Sequence, residues 1–243
     1  MDKEVDGFVL SEVDYGESSK VINVFTNCGI LGVMCKGVKR VKSKNRVSTM
    51  KLSYVRLNIK YKENKLSTLI SSDIINPLKK IKSDIVLVAF LNYMSDLTYQ
   101  VLRQSDRYEE IYEIFIKSIL KMEEGLDSFV LANILEVKYL KYLGLSSAFL
   151  SCTVCGSDAN LLSVDISKGG FICASCRHNE VVVPGNVVRL IKNYSLVDIA
   201  KVKKIEIDDY SKQFVNELLN EYYDRYTGIY LNSKNFLKSV LKF

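Results

Sequence analysis

Up to Pro77 the apolar positions alternate with polar ones or fall in short β-branched runs; from Leu78 they recur at helical spacing. Val55, Leu57, Ile59 and Tyr61 lie on one side of an alternating segment, with Arg56, Asn58, Lys60 and Lys62 on the other, which is the period of a half-buried strand. Phe8–Val13, Lys20–Thr26, Ile30–Cys35 and Leu66–Ser71 read as four more strands. Turn residues stand between them at Tyr15–Ser19, Asn27-Cys28-Gly29 and Glu63-Asn64. Five short strands in so little chain predict a small antiparallel β-barrel, which Asn76-Pro77 ends.

The helical period then runs through Ile85–Leu102 and Tyr108–Met122. A third helix is expected over Phe129–Leu143, capped by Asp127 or Ser128 and stopped by Gly144. Residues 151–184 break the pattern with four cysteines, glycines and short β-type runs, closed by Pro184-Gly185. Helical spacing returns at Val187–Tyr194 and again from Asp208 or Asp209 to Tyr226, and Ser233–Phe243 is a short basic segment. The expected division is therefore a barrel over 1–77, a helical domain in two parts over 78–150 and 185–243, and a cysteine-containing insert over 151–184. This is an α+β multidomain chain.

Composition adds limits. The 243 residues are 48% hydrophobic and 26% charged, enough for a core and ordinary for a folded chain. No run of about 18 consecutive apolar residues predicts a membrane span, and the charged start, Met1 to Asp6, is unlike a secretion signal. The expectation is an intracellular protein with reduced cysteines.

The cysteines are spaced Cys152-Thr153-Val154-Cys155, then Cys173-Ala174-Ser175-Cys176. Two residues between thiols let both turn onto one ion, and two such knuckles supply a closed tetrahedron of sulfurs that suits one structural zinc. Four metal-free buried thiols, a redox pair and an iron–sulfur cluster are the competing readings. The absence of a surrounding βαβ pattern weighs against the redox pair, and the spacing against the cluster. Cys28 and Cys35 have no matching partner and read as core or surface residues. His178, the only histidine, reads as an exposed loop residue beside a complete ligand set.

Net charge is only +6, but its distribution is uneven. Between Lys36 and Lys65 there are eleven basic residues and one acidic residue, Glu63. Gly37–Ser48 is too polar for a core strand and reads as a flexible basic loop. Beside a barrel it suits phosphates, with Tyr54 and Tyr61 placed to stack on bases. The residues expected to bind are Lys36, Lys39, Arg40, Lys42, Lys44, Arg46 and Arg56. No phosphate-cradling glycine loop and no hydrolase or metalloprotease motif occurs, so no catalytic residues are assigned and the chain is not expected to be an enzyme.

Several ordered motifs resemble the RecO family of bacterial DNA repair proteins. They are Gly7-Phe8-Val9-Leu10, Tyr15-Gly16-Glu17-Ser18, Val24-Phe25-Thr26, Gly29-Ile30-Leu31-Gly32 and Lys36-Gly37-Val38-Lys39-Arg40 with Ser43 and Lys44. Tyr139 to Gly144, leading into Cys152-Thr153-Val154-Cys155-Gly156, and Lys234 to Ser239 continue the series. The resemblance implies an N-terminal OB-fold, a helical domain and a zinc ribbon set between helices. It also implies a cytoplasmic, nucleoid-associated recombination mediator that binds single- and double-stranded DNA and anneals complementary strands. With RecR, and often RecF, such a protein helps RecA replace single-strand DNA-binding protein. An RNA-binding module linked to translation is the alternative that OB-folds and zinc ribbons leave open.

Overall fold

The computed structural model describes residues 1–145, 149–204 and 206–241. Two compact units emerge, one of Met1–Glu123 with the chain from Ser233 onward, the other of Glu124–Asn232.

In the first unit, β1 (Asp2–Tyr15), β2 (Ser19–Thr26), β3 (Gly29–Cys35), β4 (Tyr54–Lys60) and β5 (Ser67–Asn76) close into a barrel of order β1-β2-β3-β5-β4. All pairings are antiparallel except β3 with β5, which meet in parallel at Val33–Ser67 and Met34–Thr68. This is OB-fold topology. A bulge between Val9 and Ser11 bends β1, so that its first half pairs with β4 and its second with β2. The alternating residues Val55, Leu57 and Ile59 point inward with Val9, Ile22, Val24 and Val33 and are fully buried. Phe8 and Phe25 instead pack against α3 (Tyr108–Glu124), with Phe8 edge-on to Phe115 at 5.0 Å and Phe25 to Tyr112 at 5.3 Å.

At Gly7 the first strand leaves no room for a side chain beside β2. A Cβ there would stand 2.4 Å from Val24 Cγ1 and 2.8 Å from the Phe25 carbonyl oxygen. Gly7→Ala is therefore expected to destabilise the barrel by about 1–3 kcal/mol, because backbone as well as side chain must move. A denaturant midpoint equal to that of the parent chain would contradict this.

The expected loop over Gly37–Ser48 is not a free arm. Successive turns are closed by N–H donors from Arg40 to Gly37, Ser43 to Arg40, Arg46 to Ser43 and Thr49 to Asn45. Val38 enters the barrel core. Ser72 on β5 donates to Asn45 Oδ1 at 3.0 Å and lies 2.6 Å from the Ser48 hydroxyl. Ser48, Thr49 and Ser53 are buried. Lys51 reaches the helix α2 (Ile85–Leu102), at 2.7 Å from Asn92 Oδ1 and 3.2 Å from Asp96. Polarity made this segment look detached, but the Ser48, Thr49 and Ser53 hydroxyls donate to the loop's own carbonyls at Asn45, Arg46 and Val47, and Ser48 also meets Ser72 of the barrel.

α1 (Lys79–Lys82) leads into α2 (Ile85–Leu102), capped by the Asp84 carboxylate on the Val86 and Leu87 N–H groups. α2 is long and apolar enough, by length and composition, to cross a membrane, and it is the one described helix of which this is true. Burial of more than half of it inside the protein accounts for that composition. The basic segment from Ser233 is also structured: α7 spans Asn232–Leu241.

In the second unit, α4 (Ser128–Tyr139) starts at the Asp127 cap and continues as a 3-10 turn through Leu143, so the expected helix tightens four residues before Gly144 (φ 77°) ends it. α5 (Gly185–Leu196) and α6 (Asp209–Tyr226, capped by Asp208) pack with α4. Between α4 and α5 lies a sheet of order β7-β6-β8, formed by β6 (Leu161–Asp165), β7 (Gly170–Cys173) and β8 (Val181–Val182). The aromatic set Phe149, Phe171 and Tyr222 fastens it to α6, with ring centroids 5.5 Å and 4.8 Å apart, and the Tyr226 hydroxyl donates to the Ile166 carbonyl at 2.6 Å.

Candidate metal centre and nucleic-acid interface

The two cysteine pairs converge at one edge of the small sheet. In the first knuckle, Gly156 N–H donates to the Cys152 carbonyl at 2.8 Å and Cys152 N–H to the Ser157 carbonyl at 2.7 Å. Gly156 sits at φ 76°, where a side chain would be strained. In the second, Cys176 and Arg177 N–H both donate to the Cys173 carbonyl at 3.1 Å. Thr153 N–H donates to the Phe171 carbonyl at 2.9 Å and ties one knuckle to the strand that carries the other.

All four sulfurs lie within 4.8 Å of one another, and Cys155 Sγ is 3.7 Å from Cys173 Sγ. That is far beyond a disulfide bond but close to the edge of a tetrahedron with metal–sulfur bonds of about 2.3 Å. Burial raises the Cys152 thiol, but hydrogen bonds from the knuckle backbones at Cys173, Cys155 and Val154 outweigh it and hold the group at about 6. Cys176 is pushed up to about 12 by hydrogen bonding to Cys155 and Cys173. Thiolates this close oppose one another's ionisation, and a bound dication removes that conflict for all four at once. The donor set is therefore compatible with a metal ion. His178 is exposed and outside the cluster. Cys28 is exposed, whereas Cys35 is buried in the barrel, where burial pushes its thiol up to about 12.

The seven basic residues expected to bind nucleic acid divide into two groups. Lys36, Arg40, Lys42, Lys44 and Arg46 are exposed, and among the described residues their side chains form no ion pair or hydrogen bond. Lys39 is 2.6 Å from Asp14, and Arg56 forms two hydrogen bonds to Asp6, at 2.7 and 2.9 Å, with Glu4 at 3.6 Å. Arg56 holds the Asp6 carboxyl below its usual value by hydrogen bonding, and Lys39 does the same to Asp14. The five free cations thus share a loop whose backbone is pinned to the barrel, while the other two charges are locally neutralised.

The neutralising carboxylates escaped the reading of the sequence. A signal was available: Asp2, Glu4 and Asp6 alternate along β1 as Arg56, Asn58 and Lys60 do along β4, and the two sets face each other in register. Tyr54 and Tyr61 are half-buried, and both line a cleft of about 690 Å³ beside the β2–β3 turn.

Comparison with known proteins accounts for nearly the whole chain. Residues 1–78 match the family description "Recombination protein O N terminal", and residues 82–235 match "Recombination protein O C terminal". Proteins called DNA repair protein RecO in Bacillus cytotoxicus, Bacillus cereus and Bacillus anthracis are each 29% identical over 249 positions, covering 100% of this chain and 99% of each relative. The chain belongs to the RecO family of DNA repair and recombination proteins.

Proposed function

We propose that this chain is a DNA-binding recombination mediator that anneals complementary single strands without bond chemistry. With RecR, and with RecF where it takes part, it helps load RecA onto DNA coated by single-strand DNA-binding protein. The observation that carries the reading is the set of five unpaired cations, Lys36, Arg40, Lys42, Lys44 and Arg46, on a loop anchored to an OB-fold barrel. Release of counterions from DNA supplies the affinity of such a surface, and pairing of the strands supplies the energy of annealing. Lys39 and Arg56 join the surface only by exchanging a carboxylate for a phosphate.

In this reading residues 1–77 form the DNA-binding domain, 78–150 and 185–243 the helical domain, and 151–184 a zinc ribbon. Cys152, Cys155, Cys173 and Cys176 hold one zinc with no open position, so the ion braces the fold and takes no substrate. The protein works in the bacterial cytoplasm, on the nucleoid.

A partner site for the acidic, apolar tail of single-strand DNA-binding protein is supported by a groove of about 540 Å³ in the second unit. Its lining includes Ile134, Leu190, Val197 and Val202, and Lys201, Lys203 and Lys204 also border it. Lys201 and Lys204 pair with exposed Asp198 and Glu206, contacts weak enough for an acidic peptide to displace.

The test is annealing of complementary strands without nucleotide, with the strands bare and then coated by single-strand DNA-binding protein. Acceleration in both arms is expected. Failure to shift single-stranded DNA at low salt would remove the reading, and preference for RNA in direct competition would favour the translation-linked alternative.

A further inference from the structure

A further groove of the second unit lies between α6 and the small sheet. Its volume is about 450 Å³, and Val164, Ile166, Phe214 and Leu218 line it. β8 borders it from the edge of the sheet, with Val181 70% exposed.

Four carboxylates also border the groove, and they are not equivalent. Lys168 pairs with Asp165 and Glu180. Glu217 and Glu221 are exposed and form no ion pair among the described residues. Like charges four residues apart weaken a helix, and Arg225, four residues past Glu221, pairs with neither. The groove thus joins an apolar lining to two uncompensated negative charges. Such a surface repels DNA and suits a basic segment that carries an apolar residue among its charges.

The barrel unit of this same chain presents such a segment. Val41 is 87% exposed and stands between Arg40 and Lys42, with Lys44 two residues on, and all three cations are unpaired among the described residues. A lone exposed valine is ordinary. This one is set in a row of free cations, on a loop whose turns and whose anchors at Val38, Asn45 and Ser48 already fix the backbone. A partner of that kind loses little freedom on docking.

We infer that the basic loop of one copy docks in this groove of a second copy. Val41 enters the apolar lining beside Phe214 and Val181, and Arg40, Lys42 and Lys44 meet Glu217 and Glu221. Loop and groove are different surfaces, so the contact is heterologous and copies add head to tail. DNA and self-association then exclude each other on the loop, a consequence that rests on the DNA-binding function proposed above.

The experiment is sedimentation velocity on the full chain across the micromolar range. The weight-average mass should rise with concentration at low salt and return to that of the monomer at about 1 M salt, where the Debye length is about 3 Å. Changing Glu217→Lys with Glu221→Lys should weaken association at least about tenfold, and so should Arg40→Glu with Lys42→Glu and Lys44→Glu, because each set brings like charges together. Mixing the two variants should restore it, since the reversed loop of one meets the reversed groove of the other. A short single-stranded oligonucleotide should return the parent chain to the monomer.

A parent chain that is monomeric at every concentration overturns the inference. So does association that survives either charge reversal, or two reversed variants that fail to associate with each other. Glu217→Gln with Glu221→Gln removes the charges without reversing them, and association of that variant at parent strength overturns the inference even if a reversed variant does not fold. An assembly that keeps its mass while it binds the oligonucleotide overturns the exclusion. An assembly that passes the charge exchange in a chain that binds no DNA supports the docking and refutes the proposed function.

Discussion

Replacing Cys155 with Ser is expected to destabilise the Glu124–Asn232 unit by at least about 3 kcal/mol, as much as replacing Cys173. The two positions differ in a way that makes the comparison informative. Cys173 is buried in the small sheet's core with Cys152 and Ile172, so its loss costs something with or without a metal. Cys155 is exposed. Without an ion, Cys155→Ser should fall within about 0.5 kcal/mol of the parent chain, as surface substitutions do. With an ion held by four sulfurs, both variants lose a ligand and both lose much of its binding free energy.

The aromatic contacts of Phe149 with Phe171 and Tyr222 remain in either variant, so the sheet should loosen without the whole unit dissolving. Hydrogen exchange should rise first at the knuckles and β7, and a strong chelator should reproduce the pattern in the parent chain. Elemental analysis should return one zinc per chain, and cobalt substitution should give the spectrum of a four-thiolate site. A silent Cys155→Ser variant together with a metal-free parent would return the cluster to the reading of four packed thiols.

The other large effect is electrostatic. Changing Lys36, Arg40, Lys42, Lys44 and Arg46 together to Ala should lower the slope of log affinity against log salt for single-stranded DNA by about 3.5, at roughly 0.7 per phosphate contact. Between 50 and 200 mM salt, five such contacts account for about a hundredfold of the parent's loss of affinity. Stability should barely change, because the five side chains are exposed and unpaired.

Lys39→Ala and Arg56→Ala serve as counterparts. Their charges are already offset by Asp14 and by Asp6 with Glu4, so each should change affinity by less than about twofold. Titration by fluorescence anisotropy over a salt series measures all three variants. An unchanged slope in the five-residue variant would move the binding surface off the loop. A tenfold loss in Arg56→Ala would mean that DNA displaces Asp6, which makes the ion pair a gate on the barrel face.

These outcomes depend on different amounts of information in the chain. Alternation along β4 and helical spacing over Ile85–Leu102 were legible because both periods are local, and the structure returns these elements with the expected bounds or nearly so. The cysteine knuckles were legible for the same reason. Two intervening residues already direct both thiols to one point, and the hairpin of β6 and β7 needs only Gly169 and Gly170 at positive φ to bring the second pair back.

The behaviour of the charges was not legible in this way. A count of basic residues treats Arg56 and Arg40 alike, but Arg56 meets a carboxylate fifty positions away because β1 and β4 pair in one register. The polar stretch after β3 carries every mark of a free loop. It is pinned because the barrel brings Ser72 to Asn45 and Ser48 and makes room for Val38. By itself the sequence determined the periods, the knuckles and the excess of positive charge. Tertiary structure alone decided which cations are spent within the fold and which face solvent, because pairing distances between residues far apart in the chain exist only once the barrel has closed.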